Sequence, residues 1–378
     1  MLIKNIQTSE SVGYGHPDKI CDQIADLILD TCLKQDKNSR VACEVFAGNK
    51  KIIVGGEITT KGYVDVVKVA WKVLKFLGYN ENDFTITSCI NKQSPDIAAK
   101  VNLNNKLGAG DQGLVYGYAC NETKQFLPLA TVLSHEILKK TCNLIKVKKL
   151  TGIKYDMKSQ VSIDYSGKKP IVDSVILSVQ HNKNINLNKL RAKLDKTVIN
   201  PILNDFSLNT NCQKYINYGG TFVLGGPEAD TGLTGRKIIV DTYGSSVPHG
   251  GGAFSGKDAT KVDRTGAYFA RYIAKNIVAA DLAKKVLVQL SFCIGKPTPT
   301  SISINTFNTC NVSEDKIKDA VVKSFNFDLA NIIKTLNLTK PIFSQTSVFG
   351  HFGKNNLPWE KTNKVKVLRD NIYGRKRK

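Results

Sequence analysis

Three times along the chain, a helix-period pattern is followed by two strand-period runs and a further helix, with the opening helices near residues 17, 127 and 262. In the first round Pro17 suits a first helical turn, and Ile20, Ile24, Leu27 and Ile28 then fall on one face. Residues 41–47 and 52–58 read as strands, and Gly48-Asn49-Lys50 between them suggests a hairpin. A helix over 64–77 places Val66, Val69, Ala70, Val73 and Leu77 in register and ends at Gly78, and a strand follows at 84–90. The second round sets helices over 127–145 and 187–198 around strands 159–165 and 171–179. The third has a helix from 262 to about 285, strands 286–294 and 301–306, and a helix opened by Ser313 as N-cap. The implied fold class is α+β: three similar units in a pseudo-three-fold arrangement, each a small β-sheet covered by helices on one face. The expected divisions are 1–100, 101–225 and 226–378.

Composition narrows the function classes. The 378 residues are 42% apolar and 23% charged, an ordinary globular mix that excludes wholesale disorder. No run of about 18 apolar residues offers a membrane-spanning helix, so no membrane partner is expected. Residues 1–11 lack an apolar secretory core and read as mature protein. The nine cysteines form no Cys-x-x-Cys pair and read as reduced, mostly packed thiols of a cytoplasmic protein. Net charge is 54 − 32 = +22, yet only eight of the basic residues are Arg. A Lys excess spread over the whole chain reads as a solvated basic surface; nucleic-acid recognition favours Arg, so no nucleic-acid partner is expected. The charge does permit an acidic substrate.

Two stretches interrupt the pattern. Residues 98–110 hold few large apolar side chains and end Gly108-Ala109-Gly110, which suggests a mobile loop. Residues 244–256 carry five glycines. Within the second, Gly251 to Lys257 fits the first seven places of a phosphate-binding G-x-x-x-x-G-K loop, but Asp258 stands where Ser or Thr should. The strand pattern at 238–242 also stops short of it, which counts against a true Walker loop and leaves glycines that let the backbone approach a phosphate, with Lys257 beside them. Arg236, Lys237, Lys257 and Lys261 flank the glycines with Asp263 among them. That is either a solvated charge run or a polyphosphate site with a Mg²⁺ carboxylate. In Gly15-His16-Pro17-Asp18-Lys19, His16 falls at a helix cap and Asp18 in the first turn. They serve there as cap and dipole partner, or as an anion donor and a metal ligand. Asp22, Asp26 and Asp30 follow at i+4 spacing and read as a solvated face.

Taken in order, Gly15–Lys19, Gly55-Gly56-Glu57-Ile58-Thr59-Thr60, Lys92-Gln93-Ser94-Pro95-Asp96-Ile97, Gly110-Asp111-Gln112-Gly113, Gly232–Lys237, Gly251–Asp258 and Gly350-His351-Phe352-Gly353 resemble the S-adenosylmethionine synthetase (methionine adenosyltransferase) family over nearly the whole chain. The resemblance implies ATP and L-methionine as substrates, sulfur attack on C5′, and hydrolysis of the displaced tripolyphosphate to pyrophosphate and phosphate. It implies that His16 lies near the departing oxygen, that Asp18 and Asp263 bind two Mg²⁺ per site, and that Glu44 serves one K⁺. Lys158, Arg236, Lys237, Lys257 and Lys261 would hold phosphates. Asp156, Asp230 and Ala253 would contact ATP, and Phe222 and Ile294 would sandwich adenine. Glu57, Gln93, Asp230 and Lys261 would hold methionine. Homodimers with shared sites, commonly paired into tetramers, are implied as well. The sequence departs from the family pattern at Gly13-Tyr14, at Asn91, in the loop after Asp96 and at Ala259, and none of these removes a named ligand. A Walker-type ATPase or kinase and a basic nucleic-acid-binding protein are the rival readings.

Overall fold

A computed structural model describes residues 4–92 and 107–374. Eleven strands are found there: β1 (Ile6–Val12), β2 (Arg40–Gly48), β3 (Lys51–Thr59), β4 (Thr85–Asn91), β5 (Gly113–Cys120), β6 (Ile153–Asp164), β7 (Ile171–His181), β8 (Gln213–Ile216), β9 (Gly232–Leu233), β10 (Lys285–Phe292) and β11 (Ser301–Asn305). They form three sheets in the orders β1-β6-β7-β8, β11-β10-β5 and β4-β3-β2-β9. The three opening helices are Pro17–Gln35 (hereafter α1), Leu129–Lys146 and Val262–Ala279. The β2–β3 hairpin turns through Asn49 and Lys50 at φ 45° and 60°, the paired left-handed conformation that a two-residue loop needs to match strand twist. Gly78 caps helix Val66–Leu77 at φ 93°.

The sheets do not follow three consecutive stretches of chain. β1 pairs antiparallel with β6, β5 with β10, and β9 with β2, so each sheet takes an edge strand from elsewhere in the sequence. This exchange positions the site. Past Val12 the β1–β6 pairing continues, with the Gly13 amide on the Met157 carbonyl (2.8 Å) and the Gly15 amide on the Tyr155 carbonyl (2.8 Å). The start of α1 is thereby fixed against residues 155–158.

Three readings need correction. The run 238–242 is one helical turn, Ile238–Asp241, not a strand. A short apolar run does not distinguish a strand from a buried turn of helix. The helix beginning at Leu187 ends as α at Leu194 and passes through a π-turn, Asp195–Ile199, before Pro201. Third, Asp22, Asp26 and Asp30 are not solvated: all three are buried. α1 is buried nearly all round, and its acidic stripe faces protein. Asp22 accepts the Gly235 amide (2.9 Å) and the Lys19 ammonium (2.8 Å). Asp26 accepts the Gly256 amide (2.9 Å) and a forked pair of bonds from Arg264 (2.7 and 2.9 Å). Asp30 accepts the amides of Phe343 and Ser344. A buried carboxylate persists only with such partners. The stripe ties one helix to three loops.

Candidate active site

The first cluster forms where α1 begins. The His16 carbonyl accepts the Ile20 amide (2.9 Å), and its Nδ1 accepts the Asp18 amide at 3.2 Å. Accepting at Nδ1 leaves the ring proton on Nε2, which has no hydrogen-bond partner among the described residues. Burial, reinforced by the Lys237 and Lys158 ammonium groups, pushes the imidazole down to about 3, so it stays neutral at physiological pH. The Asp18 carboxylate accepts the Leu233 amide (2.9 Å) and the Lys237 ammonium (2.6 Å), with Arg236 at 3.8 Å. Burial raises this carboxyl, but Lys237 and the Leu233 amide outweigh it and hold the group below the usual range. Gly15 packs against Asp156, whose Oδ2 accepts the Gly226 amide (2.8 Å) while the buried Oδ1 is unpartnered. Burial, with Asp230 adding repulsion, pushes Asp156 up to about 6. Phe222 is fixed by exchanging two backbone-directed bonds with His181.

The second cluster hangs on the glycine-rich stretch. Gly256 adopts φ 79°, its amide bonds Asp26, and a Cβ there would lie 2.0 Å from the Cys43 carbonyl oxygen. Only glycine permits that approach. Lys257 follows, its ammonium 2.6 Å from Asp263 in the first turn of helix Val262–Ala279. Lys261 bonds the Asp258 carboxylate (2.5 Å), which also accepts the amides of Val41 and Thr260. Arg40, Glu57, Asp111, Lys257, Lys261 and Asp263 line one cavity of ≈ 200 Å³.

The two clusters are anchored on α1 at Asp18 and Asp26, two turns and about 12 Å apart along its axis. Their loops touch where Ala253 packs on Gly235, but no hydrogen bond or ion pair joins their functional groups among the described residues.

Three family models match consecutive parts of the chain: the S-adenosylmethionine synthetase N-terminal domain over residues 4–95, the central domain over 106–222 and the C-terminal domain over 224–361. The chain belongs to the S-adenosylmethionine synthetase family. It is 53% identical over 370 residues to the S-adenosylmethionine synthase of Mycoplasmopsis pulmonis, covering 97% of this chain and 98% of that one. It is 50% identical over 376 residues to that of Mycoplasma mycoides subsp. mycoides, covering 97% of each. With the same-named protein of Treponema denticola it shares 47% over 383 residues, covering 97% and 98%.

Of the residues expected from the resemblance, His16, Asp18, Asp156, Lys158, Arg236 and Lys237 gather at the first cluster; Glu57, Lys257, Lys261 and Asp263 gather at the second. Asp230 is exposed and close enough to Asp156 to influence it. Glu44 is exposed on β2 opposite Gly55, and Ile294 is exposed just after β10. Gln93 and the greater part of the loop at 98–110 lie outside the described residues. Sequence reasoning did not find Arg40, which no motif marks; its one signal was being an Arg in a chain that otherwise prefers Lys. Nor did it find that Asp258, the residue that spoils the Walker pattern, holds Lys261.

Proposed function

We propose that this chain makes S-adenosylmethionine from ATP and L-methionine by attack of the methionine sulfur on C5′ of ATP, then hydrolyses the bound tripolyphosphate to pyrophosphate and phosphate. The transferase class follows from family membership; the steps are our reading. One observation carries it. At two open places a single carboxylate faces a lysine ammonium at 2.6 Å, Asp18 with Lys237 and Asp263 with Lys257, each beside glycine-rich backbone. A triphosphate carrying a charge of roughly −4 would draw both lysines onto its oxygens and leave both carboxylates for metal.

Each of these carboxylates stands without a cluster of three or more His, Cys, Asp or Glu around it among the described residues. That donor set suits Mg²⁺, which keeps waters and phosphate oxygens in its shell. Asp18 and Asp263 would each hold one Mg²⁺, whose chemistry is neutralisation of phosphate charge. Glu44 would serve K⁺.

The thioether has no proton to lose, so the first step needs no general base and rests on positioning and charge. Neutral His16, its Nδ1 committed to the Asp18 amide, would donate from Nε2 to the oxygen leaving C5′. Arg236, Lys237, Lys158, Lys257 and Lys261 would hold the phosphates. Phe222, Ile294, Asp156, Asp230 and Ala253 would hold the nucleoside, and Glu57, Gln93, Asp230 and Lys261 the methionine. Because each chain carries two separated clusters, we read the complete site as shared between the two chains of a homodimer. The division at 1–100, 101–225 and 226–378, the dimer-of-dimers tetramer and a cytoplasmic setting belong to the same proposal; no helix among the described residues is long and apolar enough to cross a membrane. Incubation with ATP, Mg²⁺, K⁺ and methionine should yield S-adenosylmethionine with equimolar pyrophosphate and phosphate. ATP turnover without methionine dependence would refute it.

A further inference from the structure

We propose that Tyr14 is a positioning residue for His16: its ring, held among Phe76, Tyr155, Phe349 and Lys146, fixes the turn that presents the imidazole to the departing oxygen. This rests on the reading of His16 as the donor to that oxygen and names what holds it in place. Tyr14 is one of the points where the sequence leaves the family pattern, so the roles implied for its neighbours do not cover it.

Residues 13–16 make one turn, closed by the His16 amide on the Gly13 carbonyl at 3.2 Å. The Gly13 and Gly15 amides dock it on β6, and neither glycine has room for a side chain. A Cβ at Gly13 would lie 2.4 Å from the Met157 side chain, and one at Gly15 would lie 2.6 Å from the Asp156 backbone nitrogen. Tyr14 therefore supplies the only side chain ahead of His16 in the turn. Its carbonyl accepts a bond from Gln23 Nε2 of α1 (2.7 Å), which leaves the ring to fasten the turn to everything else.

Phe76, Phe349 and Tyr155 meet that ring edge to face, with centroids 5.5, 5.1 and 6.2 Å away and planes at 75°, 85° and 88° to it. The Lys146 ammonium, on the last residue of helix Leu129–Lys146, lies 5.2 Å from the Tyr14 centroid and 5.4 Å from that of Phe76. These partners come from all three matched segments, so the ring joins the start of α1 to each of them. Phe349 reaches it at φ 59°, a conformation that bulky residues rarely adopt and that persists only where the surroundings impose it. The Tyr14 hydroxyl has no hydrogen-bond partner among the described residues, so the ring itself makes the attachment. The cluster sits at the rim of the core rather than inside it: Phe76 is 46% exposed and Lys146 is exposed. Placement is thus its larger contribution. The imidazole two residues on must meet charge as it develops, and a displacement of about 1 Å there can cost roughly 100-fold in rate.

The test combines steady-state kinetics with hydrogen exchange of the Gly13, Gly15 and His16 amides in the full chain and in its Tyr14→Ala, Tyr14→Phe and Phe76→Ala variants. Tyr14→Ala should speed exchange of these amides by roughly 10-fold or more. It should lower kcat for S-adenosylmethionine formation roughly 10–100-fold, with the KM for ATP and for methionine changing far less. Tyr14→Phe keeps the ring and should restore both readouts. Phe76→Ala removes a half-exposed ring at little risk to the fold and should move both in the same direction by less. In a His16→Asn background Tyr14→Ala should cost little further kcat, because a ring that acts through His16 then has nothing left to position. A full multiplicative loss in that background, or unchanged exchange of the three amides, overturns the assignment. Faster exchange in Tyr14→Ala together with a kcat that His16→Asn leaves untouched would uphold the anchoring of the turn while refuting the donor reading.

Discussion

α1 and the loops packed on it carry two kinds of acid–base pair. In the first kind the pairs are closed. Lys19 lies between Asp22 and Asp241, and Arg264 grips Asp26 with two bonds, all of these groups being buried. In the open pairs, Asp18 at the start of α1 meets Lys237, and Asp263 in the first turn of helix Val262–Ala279 meets Lys257; each lysine is about one-fifth exposed. In a closed pair nearly every hydrogen-bonding position is filled from within the fold, and the loop amides of Gly235 and Gly256 complete it. In an open pair the lysine faces the space a substrate would enter. The residue types are the same and Asp18 is as buried as Asp26, so the exposure of the paired cation and the saturation of its donors separate the groups that hold loops from the groups proposed to hold ligand.

The predictions press on that distinction. The largest effect is expected at His16. His16→Asn keeps a donor and can cap, yet kcat for S-adenosylmethionine formation should fall by about 10²–10⁴, with a much smaller rise in the KM for ATP. Hydrolysis of added tripolyphosphate should suffer less, because no C5′–O bond breaks there; equal loss in both reactions would make His16 a general phosphate ligand. Next comes a closed pair. Asp26→Asn leaves a buried guanidinium without its carboxylate and should cost about 3–5 kcal/mol of stability in denaturant unfolding. Unchanged stability would abolish the distinction. The open pair should behave differently: Asp18→Asn should lose about 100-fold in activity, or about 2.7 kcal/mol of barrier, while its stability cost stays below that of Asp26→Asn, because the Lys237 ammonium it leaves unpaired is about one-fifth exposed and can turn to water.

The smallest effect concerns pH. Asp156 is pushed up to about 6 from an ordinary value of 3.8. Its protonated form is therefore the one the fold prefers. The stability this contributes is complete below pH 3.8 and is lost as pH rises through 6. Asp156→Asn should then be stabilising by about 1–3 kcal/mol at pH 8 and nearly neutral at pH 4, read from unfolding curves at the two values. The reverse trend would mean that the carboxylate is held ionised in the fold.

Much of the site was legible because its residues sit in short contiguous motifs: a His before a helix-opening Pro, glycines before Lys257. The opening helices were legible too, since their apolar periods are long. What was not legible depended on distant partners. The Asp22 and Asp26 stripe has the i+4 spacing of a solvated face, and nothing local reveals that its partners lie 213 and 230 residues away. β1 and β5 escaped notice for the same reason: each is an edge strand whose partner comes from another third of the chain. Arg40 stands outside every motif and gains meaning only when β2, β3 and the loop around Asp258 are folded together.

The central claim is that each chain carries the two halves of a site completed by a second chain. It is tested by mixing two inactive variants, Asp18→Asn and Asp263→Asn, under conditions in which chains exchange, for example by co-expression. In a mixed dimer one site receives both lesions and the other receives neither. Random pairing should therefore restore about one quarter of the activity of the unsubstituted protein. Activity no higher than that of either variant alone, with mixed dimers verified by differential tagging, would place the whole site within a single chain and contradict the account.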